Sequence, residues 1–155
     1  IESSHADDPI VSGVTDLFGD TDVYEAHPPA DAKILVHGTV LSGMTPDSAP
    51  ADYAKPRSND KKEQGVNSPM MAIAWSRLVK NEAGTENKIF CTTMGAATDL
   101  TNEGLRRMVV NAVFWGLGMP VPAKADVTII GDYQPSKYGF KGYKVGVKPA
   151  DHVLK

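Results

Sequence analysis

A single cysteine, Cys91, stands among 155 residues. That excludes an internal disulfide framework and any metal site built from several thiolates. It leaves the compartment open. An excess of positive charge is also missing: 16 Lys and Arg face 19 Asp and Glu, for a formal net charge of −3. Nucleic acid is therefore not an expected partner. No apolar run approaches the roughly 18 residues that a membrane span requires. The histidines are His5, His27, His37 and His152, and no two of them form an HxH, HxxH or HExxH pair. A zinc site thus has no local support, and only a composite site remains as an alternative. The chain opens on Ile1 and shows no leader. The expectation is that a leader has been removed or that these residues are a piece of a longer protein. A periplasmic or secreted setting is expected over a cytoplasmic one.

What is present fits one globular domain. Hydrophobic residues make up 41% and charged residues 23%, enough for a sizeable core in a chain of this length. The 14 glycines and 11 prolines mark many fixed turns.

Several segments have strand character. KILVHGTVL (33–41) is β-branched and apolar, and Gly43, Pro46 and Pro50 end it. Residues 45–69 are polar and proline-broken, with the charged run SNDKKE (58–63), and read as a long loop. A loop of that length is uncommon unless it is functional or packs on something. PMMAIAWSRLV (69–79) and KIFCTTM (88–94) read as two strands joined by NEAGTEN (81–87). The short link makes them antiparallel neighbours. ADVTII (125–130) reads as a last short strand.

One helix dominates. In TNEGLRRMVVNAVFWGLG, Leu105, Met108, Val109, Ala112, Val113 and Leu117 recur at helical spacing. Thr101 or Asp99 is the expected N-cap, and Gly118 with Pro120 the stop. Its polar stripe is narrow, Arg107 and Asn111 with Arg106 beside them. Val110, Phe114 and Trp115 make the second half apolar almost all round, which predicts burial on more than one side and partner structure beyond these residues. The tail from Gly131 onward alternates Gly, Pro, Tyr and Lys. It reads as an ordered arm stapled by Tyr133, Tyr138, Phe140 and Tyr143.

The chemical candidates are few. Cys91 lies between Phe90 and Thr92 in an apolar strand, without the flanking small residues of a nucleophile elbow, and reads as a buried small hydrophobe. His37, inside a strand, reads as a hydrogen-bonded core histidine. Asp16, Asp20, Asp22 and Glu25 in DLFGDTDVYE depart from the EF-hand pattern and read as a solvated turn or helix cap. Thr92, Thr93, Met94 and Gly95 stand where a strand ends and a helix follows. That position binds ligands in open α/β sheets and favours an anion or a sugar oxygen. The same threonines can equally do no more than satisfy backbone groups at the strand exit. Trp75 and Arg77 share one strand face, where Trp can stack on a sugar ring and Arg can hold a hydroxyl or carboxylate. Alternatively Trp75 is core and Arg77 pairs with a nearby acid.

The segments HADDPIVSGVTDLFGDTDVYE, KILVHGTVLSGM, NSPMMAIAWSR, KIFCTTMGAATDLTNEGLRRMVVNAVFWGLGM and GDYQPSKYGFKGYKVGVKPADH together resemble the C-terminal part of a ThuA-like (trehalose-utilisation) protein. The resemblance covers nearly the whole chain. Its most specific parts are the helix segment and the tail. It implies an α/β fold of the flavodoxin-like, class I glutamine amidotransferase-like kind: a three-layer sandwich with a parallel sheet between helices. Residues 1–155 would be the C-terminal portion of one such domain, with 45–69 as its long polar loop and 131–155 as its extended aromatic and glycine-rich tail. The first strand-helix units and a His-rich segment would lie upstream of Ile1.

The implied function is carbohydrate metabolism, acting on or binding disaccharide or keto-sugar derivatives at the carboxyl edge of the sheet. The alternative is a non-catalytic sugar-binding or assembly module of a larger extracytoplasmic complex. Thr92, Thr93 and Met94 would contribute to the site, with Trp75 and Arg77 as further candidates. No catalytic residue carries over. The amidotransferase triad is not kept in the family, Cys91 is not at its nucleophile position, and Ala96 stands where many members have a histidine after the strand-exit glycine. No cofactor and no metal are implied. The implied partners are a small-molecule sugar and a missing N-terminal half or another chain.

Overall fold

Two strands of the computed structural model, which describes residues 1–136 and 145–153, form its longest hairpin. They are β4 (Met71–Lys80) and β5 (Glu86–Thr92), preceded in the chain by β1 (Lys33–Gly38), β2 (Ala54–Pro56) and β3 (Glu63–Gly65). β4 and β5 pair antiparallel across the expected short connection. The turn closes through Asn81, whose backbone N–H donates to Thr85 O at 2.9 Å, and whose side-chain Oδ1 accepts from the Thr85 amide at 2.9 Å. β1 pairs antiparallel with the other edge of β4, so the sheet order is β1-β4-β5. The described residues therefore mix helix and strand, as an α/β chain does, and their sheet is antiparallel throughout.

β4 is central, and its sequence shows why. Ala72, Ile73 and Ala74 are all buried, which only a strand covered on both faces requires. One face of the sheet meets the helix α1 (Glu103–Gly116) and the segment around Ile10–Val14. Leu105, Met108 and Ala112 pack with Ile10, Val11, Val14, Leu35, Val36 and Ala74 into one core. The other face is less covered. Ile34, Trp75 and Cys91 lie in register across the three strands and are only half-buried. Cys91 thus sits in the expected strand, but it is not fully buried.

The helix departs from expectation in an instructive way. Its polar stripe faces inward. Arg107 is 4% exposed and Asn111 fully buried, whereas Val113 is 55% and Leu117 70% exposed. The reason is the irregular chain around it, whose carbonyls have no ladder partners and need donors. Asn111 Nδ2 donates to Ile10 O at 3.1 Å and Ser12 O at 2.8 Å. Arg107 Nη1 donates to Ala125 O at 2.7 Å, and Arg106 Nε to Val127 O at 2.8 Å. Residues 125–130 are consequently held by side chains and form no strand, correcting that expectation. An Asn111→Ala variant should lose about 2 kcal/mol, since it strands two carbonyls and opens a small void. Urea unfolding with an unchanged m-value measures this.

The N-cap of α1 is Asn102, not Thr101 or Asp99; its Oδ1 accepts the Leu105 amide at 2.8 Å. The C-terminus ends as expected at Gly118. The Gly118 amide donates to Trp115 O at 3.0 Å and the Met119 amide to Phe114 O at 2.9 Å, which is a Schellman closure. Residues 45–69 are more ordered than a loop. β2 and β3 form a small hairpin within them, and Asn67 ties it to β1's exit by accepting from the Val40 amide at 2.8 Å and donating to Val40 O and Ala51 O at 2.9 Å. In the tail, Tyr133 donates its hydroxyl to Ala97 O at 2.7 Å. Tyr138, Phe140 and Tyr143 lie outside the described residues.

Candidate functional site

The strand exit after β5 is built by a knot centred on Asp99. Thr92 Oγ1 accepts the Met94 amide at 3.1 Å, turning the chain as β5 ends. The Thr93 amide still bonds Ile73 O at 3.0 Å, so Thr93 is the last residue held by the sheet. Gly95 then takes φ 148°, a conformation glycine adopts at little cost. Asp99 is 1% exposed. Its Oδ2 accepts the Gly95 and Ala96 amides, both at 3.1 Å, and Thr21 Oγ1 donates to the same carboxyl group at 2.9 and 3.1 Å. Thr98 Oγ1 donates to Asp20 at 2.6 Å. The loop 15–25 is thereby drawn across the strand exit. It approaches so closely that a Cβ on Gly104 would stand 1.6 Å from Asp16 O.

A cleft of about 770 Å³ opens beside this knot. Thr93 and Met94 form its wall at the carboxyl end of β5, and His37 and Gly38 its wall at the carboxyl end of β1. The loop 15–25 contributes Thr21, Asp22, Tyr24 and Glu25, and the β2–β3 hairpin contributes Lys55 and Arg57 from the opposite side. Ile73 lies at the floor. The two rims are latched. Glu25 Oε2 accepts the Ser58 amide at 2.8 Å, and Arg57 is ion-paired with Asp60 within the hairpin.

Chiefly because of the Ser58 amide, the Glu25 carboxyl is held below its ordinary value of 4.5, with His27 adding to the effect. A depressed carboxyl in the folded state contributes stability that is complete above the ordinary value and lost as pH falls through the lowered one. The protection of the Ser58 amide, its exchange measured against the intrinsic rate at the same pH, should therefore fall as pH drops below about 4.5. In Glu25→Gln that protection should be low already at pH 6 and should not change further with acid. Amide exchange by NMR reads both.

Of the residues singled out from sequence, the structure brings Thr93 and Met94 to the cleft. Thr92 stands beside it and shapes the turn. Trp75 and Arg77 share a face of β4 as the alternation requires, but they do not line the cleft. Arg77 Nε lies 2.7 Å from Asp31 Oδ1, and this partner holds the Asp31 carboxyl below its ordinary range. His37 is no core histidine: it is half-exposed and paired with Glu2. The acidic stretch 16–25, read as a solvated turn, supplies one whole wall. Its role rests on bonds such as Thr21 to Asp99, 78 positions apart, which no local pattern announces. Among the described residues, no group of three or more His, Cys, Asp or Glu is arranged to hold a metal ion, and no helix is long and apolar enough to cross a membrane. No family model, curated protein or solved structure matches this chain.

Proposed function

We propose that the cleft takes a sugar, and that the chain is a ThuA-like carbohydrate-metabolism protein acting on or binding disaccharide or keto-sugar derivatives. The observation that carries this reading is the cleft at the carboxyl ends of β1 and β5. Its volume falls in the range of small-molecule sites. Its walls combine hydroxyl and carboxyl acceptors from Thr21, Asp22 and Thr93 with the aromatic face of Tyr24. Sugars ask for that combination, because their ring faces are apolar and their edges carry hydroxyls. The flavodoxin-like arrangement belongs to the same reading. Parallel strands would have to pair with an edge strand of the three-stranded sheet, β1 or β5.

Calorimetric titration with trehalose, its 3-keto form and other disaccharides tests the reading. Binding of one of them supports it, and neither heat nor thermal shift with any of them sinks it. Thr93→Val should weaken the sugar that binds by about tenfold, the equivalent of one lost hydrogen bond. Unchanged affinity removes Thr93 from the site.

An assembly role is favoured by a separate observation. Val113, Leu117, Met119 and Ile130 are exposed apolar side chains on and after α1. Sedimentation at increasing concentration tests it: a rise in mass supports association through this patch, and an unchanged mass counts against self-association there.

A further inference from the structure

One histidine of the cleft wall, His37, is held in a manner that binding alone does not require. The N-terminal segment lies clamped along β1. The Glu2 amide donates to Leu35 O at 2.9 Å, and His5 Nδ1 is 2.7 Å from Ile34 O. These contacts fix the Glu2 backbone beside the strand that carries His37. From there Glu2 Oε1 reaches His37 Nδ1 at 2.6 Å. Such a short contact marks a charge-assisted bond. A carboxylate acceptor at Nδ1 places the proton of a neutral imidazole on that nitrogen and leaves the lone pair on Nε2. No described group bonds Nε2, and His37 lines the cleft. The side chains of His37 and Glu2 remain 30% and 36% exposed, so the ring is accessible while its orientation is held. His27 offers a contrast. It pairs with Glu25 at 3.1 Å, is 59% exposed, and stands outside the cleft.

We propose that His37 is a general base of this cleft, positioned by Glu2, and that it removes the proton from the carbon next to the carbonyl of a keto-sugar. The proposal rests on the sugar reading for its substrate class. In the step, the C–H proton passes to Nε2. The C–H electron pair becomes the carbon–carbon double bond of the enolate, and the carbonyl π pair moves onto oxygen. The imidazolium keeps its Nδ1 proton on Glu2, which stabilises the positive charge. Return of a proton from Nε2 to the same carbon restores the ketone and regenerates a neutral ring. Nothing is oxidised, and no co-reactant is consumed. A ring free to rotate would have to be oriented in each encounter; the Glu2 bond removes that cost.

The test is hydrogen-for-deuterium exchange of 3-keto-trehalose in D₂O, followed by proton NMR, with calorimetry on the same sample. The wild-type chain is expected to exchange the C–H beside the ketone above the buffer blank. His37→Gln should slow this by about a hundredfold, the ordinary size of general-base catalysis. Glu2→Gln should slow the turnover number by about tenfold with KM nearly unchanged, and Glu2→Asp should restore most of it. The Glu2 variants leave β1 and His37 in place, so they carry the test should His37→Gln not fold. Exchange that is equal in wild type, His37→Gln and Glu2→Gln overturns the proposal. So does a bound keto-sugar that does not exchange, and in that case the sugar reading stands. If calorimetry shows no disaccharide binding, the sugar reading falls, and dihydroxyacetone, a minimal hydroxyketone, replaces it as the probe. His37-dependent exchange of that probe still supports the base, and its absence overturns it.

Discussion

A Gly104→Ala variant should melt on the order of 10 °C below the parent, the equivalent of about 3 kcal/mol in a domain of this size. The methyl group it adds would stand 1.6 Å from Asp16 O, well inside any allowed contact. The neighbour is backbone, not the movable end of a side chain, so one of two things must shift. Either the 15–25 loop lifts from the helix, or the first turn of α1 moves away from it. Both disrupt the cap, because Asn102 bonds the Leu105 amide on one side and reaches Asp16 Oδ2 at 3.4 Å on the other. An alanine in a helix normally adds a little stability over glycine. A destabilised variant therefore isolates the contact from propensity. A melting temperature at or above that of the parent would show that the loop does not rest on the helix.

Asp99→Ala should be at least as damaging, at about 3–4 kcal/mol by thermal or urea unfolding. The lost carboxyl leaves the Gly95 and Ala96 amides and the Thr21 hydroxyl without their acceptor. Asp99→Asn keeps one carboxamide oxygen and should recover part of the loss. The variant also bears on the cleft. Without Asp99 the loop 15–25 has lost its main attachment to the strand exit, so sugar affinity should fall together with stability. Gly19 makes the same point sterically, because a Cβ there would lie 2.6 Å from Asp99 Oδ1. A variant that unfolds like the parent would remove Asp99 from the centre of the knot.

The parts of the fold that were legible in the sequence are those set by neighbouring residues. β4 and β5 follow from an apolar run, a turn sequence and a second run, and α1 ends at Gly118 because the pattern and the glycine agree. The cap was less legible, since Asp99, Thr101 and Asn102 are all capable residues and only the fold assigns Asp99 to the strand exit. The inward polar stripe of α1 reverses the usual rule. Arg107 and Asn111 are buried because Ile10, Ser12 and Ala125 bring carbonyls that need donors, and those residues lie far away in sequence. Residues 125–130 have strand composition but lose their carbonyls to arginine. For the site, Thr93 and Met94 could be found from the strand-to-helix transition alone. The opposing walls could not. The hairpin within 45–69 and the loop 15–25 meet through single long-range bonds such as Glu25 to Ser58, and each segment alone looks like solvated polar chain.

The bond from Asn111 to Ile10 spans 101 positions, and this has a consequence for how the protein is made. During synthesis, Ile10, Val11 and Val14 emerge long before the helix that shelters them. At the usual pace of translation, they wait about 5–20 s for their partners. In that interval only the strand residues of the core, such as Leu35, Val36 and Ala74, can begin to cover them, and the helix side stays open. The core around Ile10 therefore closes only once residues near Ala112 have left the ribosome.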